Sequence, residues 1–216
     1  MKINILCDNE NSWFWSTSKN FINEMSIKGH DVNICTKEEN LKNADVSVFI
    51  SCTKVVSLDG LNKSNSNIVC HPSDLPKGRG FSPIAWELLN GSNEITFSLF
   101  EADENIDNGR IYKKETLMLQ GTELNDEIKI LQAQKTYSMI LDYLDSYPEN
   151  DSYEQEGRAT YYKRRTNLDS ELDIDKTIKS QFNLLRIVDN KHYPAFFIYK
   201  SKKYIIKIEE DTSTDQ

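Results

Sequence analysis

The sequence has few of the features that mark membrane, nucleic-acid-binding or disulfide-stabilised proteins. It contains no run of about 18 apolar residues, so no transmembrane helix is expected. Basic charge is scarce, since the formal net charge is −8, whereas a protein that grips phosphate backbones needs a basic face. Cysteine is limited to four residues, each inside an apolar, strand-like run. This pattern predicts buried thiols, with no metal site and no disulfide framework.

A leader pattern is also lacking, since the sequence opens on the strand-like "INILC". We therefore expect a cytoplasmic protein. What is present is typical of a globular domain: 216 residues, of which 38% are hydrophobic and 28% charged. Such a chain can bury a sizeable core, and its length predicts one domain, or one domain with a small appendage.

Strand-like and helix-like segments alternate in the first part of the chain. Strands are predicted at 3–7, 31–36, 45–52 and 67–71, and helices at 12–28, 37–44 and 82–91. Such alternation is typical of a largely parallel sheet with helices on its faces. We therefore predict an α/β fold with a Rossmann-like, mostly parallel sheet and helices on both faces.

The second part of the chain follows a different pattern. Two more strands, at 94–102 and 109–119, precede a long amphipathic helix predicted from Thr122 to Ser146. A polar stretch at 147–157 is typical of a linker, and a strand near 159–165, a helix near 173–190 and a hairpin near 195–208 follow it. These features predict a main domain over 1–150 and a small C-terminal α+β subdomain over 151–216, packed against it and ending in the hairpin.

A single histidine stands where the fourth predicted strand ends. Ligands of open α/β sheets bind outside the carboxyl ends of the strands, which is the position of His71. The loop after it is stiffened by Pro72 and Pro76, while Gly78 and Gly80 permit close approach of the backbone. We interpret His71 as a candidate for chemistry, and the alternative is a buried structural histidine.

An acidic loop, "EADENIDNG" at 101–109, joins the next two predicted strands. Taken alone, it is typical of a solvated loop. Together with His71, one of its carboxylates could orient an imidazole and stabilise its charged form.

Two groups of polar residues are candidates for phosphate or sugar contacts. The loop after the first strand leads into a helix N-terminus, where free N–H groups accept phosphate; its candidates are Asn9, Asn11, Ser12 and Trp13. The alternative there is helix capping by Ser12, with tryptophans in the core. The loop after His71 offers Lys77, Gly78 and Arg79 for a diphosphate, with solvated charge as the alternative.

The stretches "HPSDLPKGRGFSPIAWELLNG" and "FEADENIDNGRIYKKE" resemble the folate-dependent formyltransferases, the group that contains methionyl-tRNA and glycinamide ribonucleotide formyltransferases. From His71 to Asp107 is 36 residues, the spacing of the catalytic pair in that family. The stretch "YYKRRTNLDSELDID" and the later "FNLLRIVDNKHYPAFFIY" are similar to the region after the catalytic domain in formyltransferases of nucleotide-linked 4-amino sugars. The resemblance covers most of the chain.

The resemblance implies an N-formyltransferase. It would move a formyl group from N10-formyltetrahydrofolate to the primary amine of a nucleotide-linked amino sugar, of the 4-amino-4,6-dideoxy type, as a step toward polysaccharides. The implied partner is this small-molecule sugar nucleotide, with no nucleic acid and no membrane, and a homodimer is left open. Two alternatives remain: a methionyl-tRNA formyltransferase-like enzyme, and an impaired module that binds sugar nucleotide or folate.

The resemblance also assigns roles to residues. His71 and Asp107 would be catalytic, and residues 1–150 would form the formyltransferase catalytic domain. The pterin would lie between two loops. The first is formed by Lys54, Val55 and Val56, and the second contributes the backbone of Glu101, Ala102 and Asp103. In the C-terminal part, the polar residues that could reach the substrate cleft are Arg164, Arg165, Asn183, Arg186 and Tyr193, with Arg186 as the first candidate.

One position departs from the family pattern. The family places an asparagine two residues before the histidine, and here that position is Val69. Asn67 lies four residues before His71, about 13 Å away along an extended strand. Three explanations stay open: Asn67 replaces the missing amide through an irregular strand, a backbone N–H does so, or the protein is impaired.

Overall fold

The computed structural model describes residues 1–211 and 213. Its centre is a six-stranded sheet in the order β2–β1–β3–β4–β6–β7. The strands are β1 (Lys2–Leu6), β2 (Asp31–Cys35), β3 (Ala44–Phe49), β4 (Ser64–His71), β6 (Glu94–Glu101) and β7 (Ile111–Met118), and a two-residue strand, β5 (Arg79–Gly80), lies outside this sheet. The first four strands in the chain pair in parallel, while β6 and β7 run antiparallel. The prediction of a mostly parallel α/β sheet is confirmed.

Six α-helices surround the sheet in the described part of the chain. They are α1 (Phe14–Thr17), α2 (Lys19–Ile27), α3 (Leu58–Leu61), α4 (Pro83–Leu89), α5 (Asn125–Ser146) and α6 (Phe182–Ile187). None of the helices within residues 1–211 and 213 is long and apolar enough to cross a membrane. The predicted first helix is divided at Ser18, between α1 and α2.

The core lies on both faces of the central strands. Ile3 and Ile5 belong to the main apolar cluster, which includes residues of α1, α2, α4 and α5. Leu6 points the other way, into a second cluster with Phe49 and Val56. Because both faces of β1 are covered, all its residues from Ile3 to Leu6 are buried, including the polar Asn4, as expected for a central parallel strand.

The C-terminal part contributes three short strands. β8 (Tyr161–Tyr162) pairs in parallel with β5, and β9 (Ala195–Tyr199) forms the expected hairpin with β10 (Lys202–Ile206). The stretch predicted as a linker is tied to the main sheet, because Tyr153 and Ile111 exchange backbone hydrogen bonds of 2.8 and 2.9 Å. The division of the chain at residue 150 stays a prediction.

The predicted helix over 173–190 is wrong for half of its length. Only α6 and a 3₁₀ turn at 179–181 are helical there. Local side-chain bonds compete with the helix: the Asp173 carboxylate accepts from the backbone N–H of Asp175 at 3.0 Å, and Gln181 bonds the N–H and carbonyl of Asp173 at 2.7 and 3.0 Å. Such bonds stabilise turns over helix.

Candidate active site

β4 carries the histidine to the edge at which the parallel strands end. Alternate side chains of a strand point to opposite faces: Ile68 lies in the main cluster, whereas Val69 packs on the second cluster. By the same alternation His71 shares the face of Val69, and the residue is only 7% exposed. The imidazole therefore lies on the face of the sheet opposite the main cluster.

The ring of His71 lies between a backbone carbonyl and a carboxylate. Its Nε2 is 2.9 Å from the carbonyl oxygen of Gly78 and 3.7 Å from Oδ2 of Asp107. Because a carbonyl only accepts hydrogen bonds, Nε2 carries the hydrogen, and Nδ1 is the basic nitrogen of the neutral ring. The structure thus brings together the imidazole and the acid that the sequence analysis pairs.

Asp107 is held in an unusual backbone conformation. Its φ is 50°, a value that few residues other than glycine adopt, although Asp and Asn do so more readily than most. Its Oδ2 accepts a hydrogen bond from the backbone N–H of Gly80 at 2.7 Å. Its carbonyl oxygen accepts one from Nε2 of Gln155 at 2.9 Å. These two bonds fix both the side chain and the backbone of the acid.

Two glycines let the backbone approach closely around this pair. Gly80 has a φ of 100°, and a Cβ atom on it would lie 2.6 Å from the carbonyl oxygen of Tyr162. A Cβ atom on Gly109 would overlap the carbonyl oxygen of Glu101. A side chain at either position would therefore push apart the segments that position His71 and Asp107.

Residues 152–162, which we call the bracing segment, contact both loops of the site. Besides the Tyr153 pairing with β7, Thr160 accepts at its carbonyl oxygen from the N–H of Arg79 at 2.9 Å. Its Oγ1 accepts from the N–H of Gly78 at 2.8 Å. The sequence analysis missed this role, because the polar composition of the segment is equally typical of a free linker.

Part of the predicted cofactor site comes together at this edge. Val56 is buried in the second cluster, and Ala102 and Val69 pack against the same cluster. The N–H of Ala102 donates to the carbonyl oxygen of Asn67 at 2.6 Å. Lys54 and Val55 are exposed beside them. The two predicted loops therefore meet along β4.

The side chain of Glu101 is occupied by structural contacts. Its Oε1 accepts from the backbone N–H of Asn67 at 2.7 Å, and its Oε2 accepts from the hydroxyls of Ser66 and Tyr112 at 2.8 and 2.6 Å. Burial raises the pKa of the Glu101 carboxyl, and these hydrogen bonds oppose that shift in part. Only the backbone of Glu101 remains for the predicted cofactor contact. Asp103 likewise uses its carboxylate within the loop, accepting from the N–H of Asn105 at 2.7 Å.

The loop after β1 satisfies many of its own polar groups. The Oγ of Ser12 accepts from the N–H of Phe14, the first residue of α1, at 3.1 Å, although Trp13 and not Ser12 occupies the N-cap position. The Asn9 carbonyl accepts from the N–H of Ser12 at 3.0 Å and from Nε1 of Trp15 at 2.9 Å. Asn11 is exposed and donates its N–H to Oδ1 of Asn9 at 3.1 Å. A substrate role for Asn9 and Asn11 stays a prediction.

Trp13 lies beside the turn that follows His71. It packs on Tyr137 with ring centroids 5.7 Å apart, and with Pro72 it lines a cavity of about 160 Å³. A larger cavity, of about 450 Å³, is lined by Glu171, Leu172, Asp173, Ile174 and Ile198, none of which is a candidate site residue. Cavity size alone therefore points to a different part of the molecule from His71.

The structure contradicts the substrate role predicted for Arg186. Arg186 is completely buried, and its Nη2 forms an ion pair with Oε2 of Glu123 at 2.9 Å. Its Nη1 donates to Oδ1 of Asn93 at 2.8 Å. A side chain enclosed in this way joins α6 to the start of α5 and cannot contact a substrate, because no part of it reaches the surface.

The cations of the loop after His71 differ in exposure. Lys77 is exposed, with Nζ 3.7 Å from the carboxylate of Asp74. Arg79 is only 8% exposed and donates from Nη2 to Oε1 of Gln155 at 2.7 Å. Lys77 is therefore free to meet a phosphate, whereas the predicted diphosphate contact of Arg79 conflicts with its burial.

Asn67 does not replace the missing family asparagine. β4 pairs in regular register with β3 from Ser66 to Val69, so the strand lacks the irregularity that this explanation requires. The Nδ2 of Asn67 donates to the carbonyl oxygen of Leu61 at 3.0 Å. Its amide is thus directed away from His71, and a backbone N–H and an impaired protein remain as explanations.

Arg164 reaches the same edge of the sheet from the C-terminal part. Its Nη2 donates to the carbonyl oxygen of Thr53 at 3.2 Å, and its guanidinium lies over the ring of Phe81, 4.4 Å from the centroid. Thr53 is itself held by Asp8, whose Oδ1 accepts from the Thr53 N–H at 2.6 Å. Arg164 is exposed, so it can meet an anion at the mouth of the site.

The fold and the site together define an α/β protein with a histidine and an aspartate side by side at the carboxyl end of a parallel strand. The family model described as Formyl transferase matches residues 23–141. The chain therefore belongs to the formyl transferase family.

Individual relatives agree with this assignment. The chain is 30% identical to the GDP-perosamine N-formyltransferase of Brucella melitensis over 146 residues, 61% of this chain and 56% of that protein. It is 33% identical to the human mitochondrial 10-formyltetrahydrofolate dehydrogenase over 86 residues, 39% of this chain and 9% of that protein. The chain thus spans little more than half the length of the first relative. The methionyl-tRNA formyltransferase structure from Clostridium thermocellum superposes with a TM-score of 0.82 at 23% identity, covering 99% of this chain and 95% of that one.

Proposed function

We propose that this chain transfers a formyl group from N10-formyltetrahydrofolate to the primary amine of a nucleotide-linked amino sugar, with a 4-amino-4,6-dideoxy sugar favoured. Family membership supports the reaction type, and the GDP-perosamine N-formyltransferase relative supports an amino sugar carried by a nucleoside diphosphate. The observation that carries the proposal is the 3.7 Å separation of His71 Nε2 and Asp107 Oδ2 at the exit of β4.

His71 and Asp107 act in this proposal as an acid–base pair. The amine must be neutral to attack, and it has to lose a proton once the new carbon–nitrogen bond forms. Nδ1 of His71 takes that proton, since Nε2 already donates to Gly78, and returns it to N10 of the donor as the bond between N10 and the formyl carbon breaks, which releases tetrahydrofolate and leaves His71 neutral. The carboxylate of Asp107 then stabilises the positively charged ring, which is the role that a nearby acid serves in such pairs.

The formyl donor would occupy the edge lined by Val56, Val69 and Ala102. Among the described residues, Oδ1 of Asn67 is buried there without a hydrogen-bond partner. A pterin ring has apolar faces and N–H donors, so it fits both the apolar wall and the unpaired acceptor. When bound, the donor supplies an activated formyl group. The exposed Lys54 and Val55 and the backbone of residues 101–103 would flank it.

The nucleotide part of the acceptor would lie where exposed cations and the loop after β1 meet the cleft. Arg164 has a single hydrogen bond to protein among the described residues, to Thr53, so most of its donors are free for a diphosphate. Lys77 adds a second exposed cation. Asn9, Asn11 and Trp13 remain candidates for the sugar or base.

The test is direct formylation with purified protein. The protein is incubated with N10-formyltetrahydrofolate and a panel of GDP-, UDP- and dTDP-linked 4-amino sugars, and the products are identified by mass spectrometry. We expect one sugar nucleotide to gain a single formyl group, and the His71→Ala protein to leave it unchanged. Formylation of methionyl-tRNA alone would overturn the sugar proposal in favour of a tRNA enzyme.

Val69 favours a second candidate function, a binding module without turnover. In place of the hydrogen-bond donor that the family pattern has, the site presents an isopropyl group packed against Phe100 and Ile111. This candidate predicts that the donor and a sugar nucleotide each raise the melting temperature while no formylated product forms. Product formation would exclude it.

A further inference from the structure

We infer that Gln155 is a positioning residue that holds Asp107 toward His71, an inference that rests on the proposed function. Gln155 lies in the bracing segment, 48 positions from Asp107 in the chain. Its Nε2 donates to the carbonyl oxygen of Asp107 at 2.9 Å and to that of Gly109 at 2.8 Å. One amide therefore clamps the backbone on both sides of Asn108, immediately after the acid.

The amide has one workable orientation. Arg79 donates from Nη2 to Oε1 of Gln155 at 2.7 Å, and a guanidinium can only donate. The Oε1 of Gln155 must therefore face Arg79, which directs both hydrogens of Nε2 toward the two carbonyl oxygens. A glutamine supplies the one acceptor and two donors that this position needs, and Arg79 is buried enough to hold the orientation.

The two hydrogen bonds from Gln155 hold the backbone at Asp107, which has an unusual conformation. Asp107 has a φ of 50°, a conformation that persists only where its surroundings fix it. Its carboxylate depends on that backbone to reach both Gly80 N–H at 2.7 Å and the vicinity of His71. Without the two bonds from Gln155, the loop would relax and move the carboxylate away from the imidazole.

Glu and Met substitutions separate this role from general stability. Gln155→Glu keeps an acceptor for Arg79 but loses both donors to the loop. Gln155→Met removes all three bonds without adding charge. Arg110→Ala is the matched control, because Arg110 donates to Ser152 Oγ at 2.9 Å and to Ser152 O at 2.6 Å. It tethers the same segment without a side-chain contact to Asp107.

The first measurement needs no substrate. Amide hydrogen exchange reports the bond from Gly80 N–H to Asp107, and we expect exchange at Gly80 to rise at least about tenfold in both Gln155 variants. Exchange at Gly78, whose N–H is bonded to Thr160 Oγ1, should stay unchanged, and Arg110→Ala should leave Gly80 protected. Unchanged exchange at Gly80 in both Gln155 variants would overturn the inference, whatever reaction the protein catalyses.

The second measurement is kinetic. We expect Gln155→Glu to lower kcat about 100-fold, the scale of a displacement of about 1 Å in a reacting group, with KM for the sugar nucleotide unchanged. In an Asp107→Asn background the same substitution should have almost no further effect. Additive effects of the two substitutions would contradict a positioning role. If the wild-type protein transfers no formyl group, the proposed function fails, while the exchange data still decide the role of Gln155.

Discussion

The carboxylate of Asp107 offers the sharpest test of the acid–base pair. Asp107→Asn removes its charge but keeps its shape, and the amide oxygen can still accept from Gly80 N–H. Asn also tolerates the φ of 50° at this position. The substitution therefore isolates the electrostatic contribution from the geometry of the loop.

The size of the effect follows from the distance. A positive imidazole and a carboxylate 3.7 Å apart attract each other by about 4.5 kcal/mol at an effective dielectric constant of ~20 and by about 1.1 kcal/mol at ~80. The side chains of His71 and Asp107 are only 9% and 15% exposed, so the larger value is the better guide. If the ring becomes charged as the reaction proceeds, kcat should fall by up to roughly 2,000-fold, and by about 7-fold if solvent screens the pair fully.

The assay is steady-state formylation of the amino sugar, with thermal unfolding measured in parallel. We expect the melting temperature of Asp107→Asn to stay within roughly 3 °C of wild type, since no packing changes. Glu104→Gln, on the same loop and exposed, removes one negative charge as a control and should leave kcat unchanged. A kcat for Asp107→Asn within about threefold of wild type would refute the pair, because even full solvent screening leaves a larger effect.

Three further predictions concern stability and substrate binding. Arg186→Ala should lower stability by about 3–5 kcal/mol, since it leaves Glu123 without its ion-pair partner. This is roughly 6–20 °C in a melting experiment, and an unchanged melting temperature would contradict the buried role of Arg186. In the folded protein the pKa of the Glu101 carboxyl is raised above its ordinary value of 4.5, so the folded state holds this proton more tightly than the unfolded state. Stability should therefore fall as pH rises above about 4.5. Urea unfolding at pH 5 and 8 measures this fall, which should be smaller in Glu101→Gln. Arg164→Gln should raise KM for the sugar nucleotide about tenfold at unchanged kcat. A fall in kcat as large as the rise in KM would argue against contact between Arg164 and the diphosphate.

The strands around the site and the position of His71 could be predicted from the sequence, because both depend on local patterns. Alternating apolar runs predicted the parallel strands, and a strand exit followed by prolines and glycines predicted the place of His71. The pairing with Asp107 came from the resemblance, since no periodicity links a strand end to a distant loop. The structure adds the carbonyl of Gly78, which decides which ring nitrogen is basic.

Arg186 and Gln155 show why the remaining residues could not be predicted. An arginine within "FNLLRIV" has the same local pattern whether it faces a ligand or the core. Its actual partners, Glu123 and Asn93, lie 63 and 93 positions away, so only tertiary contact reveals its burial. Gln155 lies in a stretch whose polar composition describes a linker, and its role depends on carbonyl groups that composition does not encode.

Val69 stands where the family pattern has an asparagine, so the role of that amide has to be filled by another group. Its side chain packs on Phe100 and Ile111 as well as on the second cluster, so an amide there would have to bury polar atoms among apolar neighbours. The valine therefore fits the wall around it and is not simply a lost asparagine. Because Asn67 is bonded to Leu61, negative charge on the formyl oxygen must be met by a backbone N–H or by the charged ring of His71. In the second case the imidazole of His71 both takes the proton from the amine and stabilises the negative charge on the formyl oxygen. The reaction then depends more strongly on Asp107, which stabilises the charged ring.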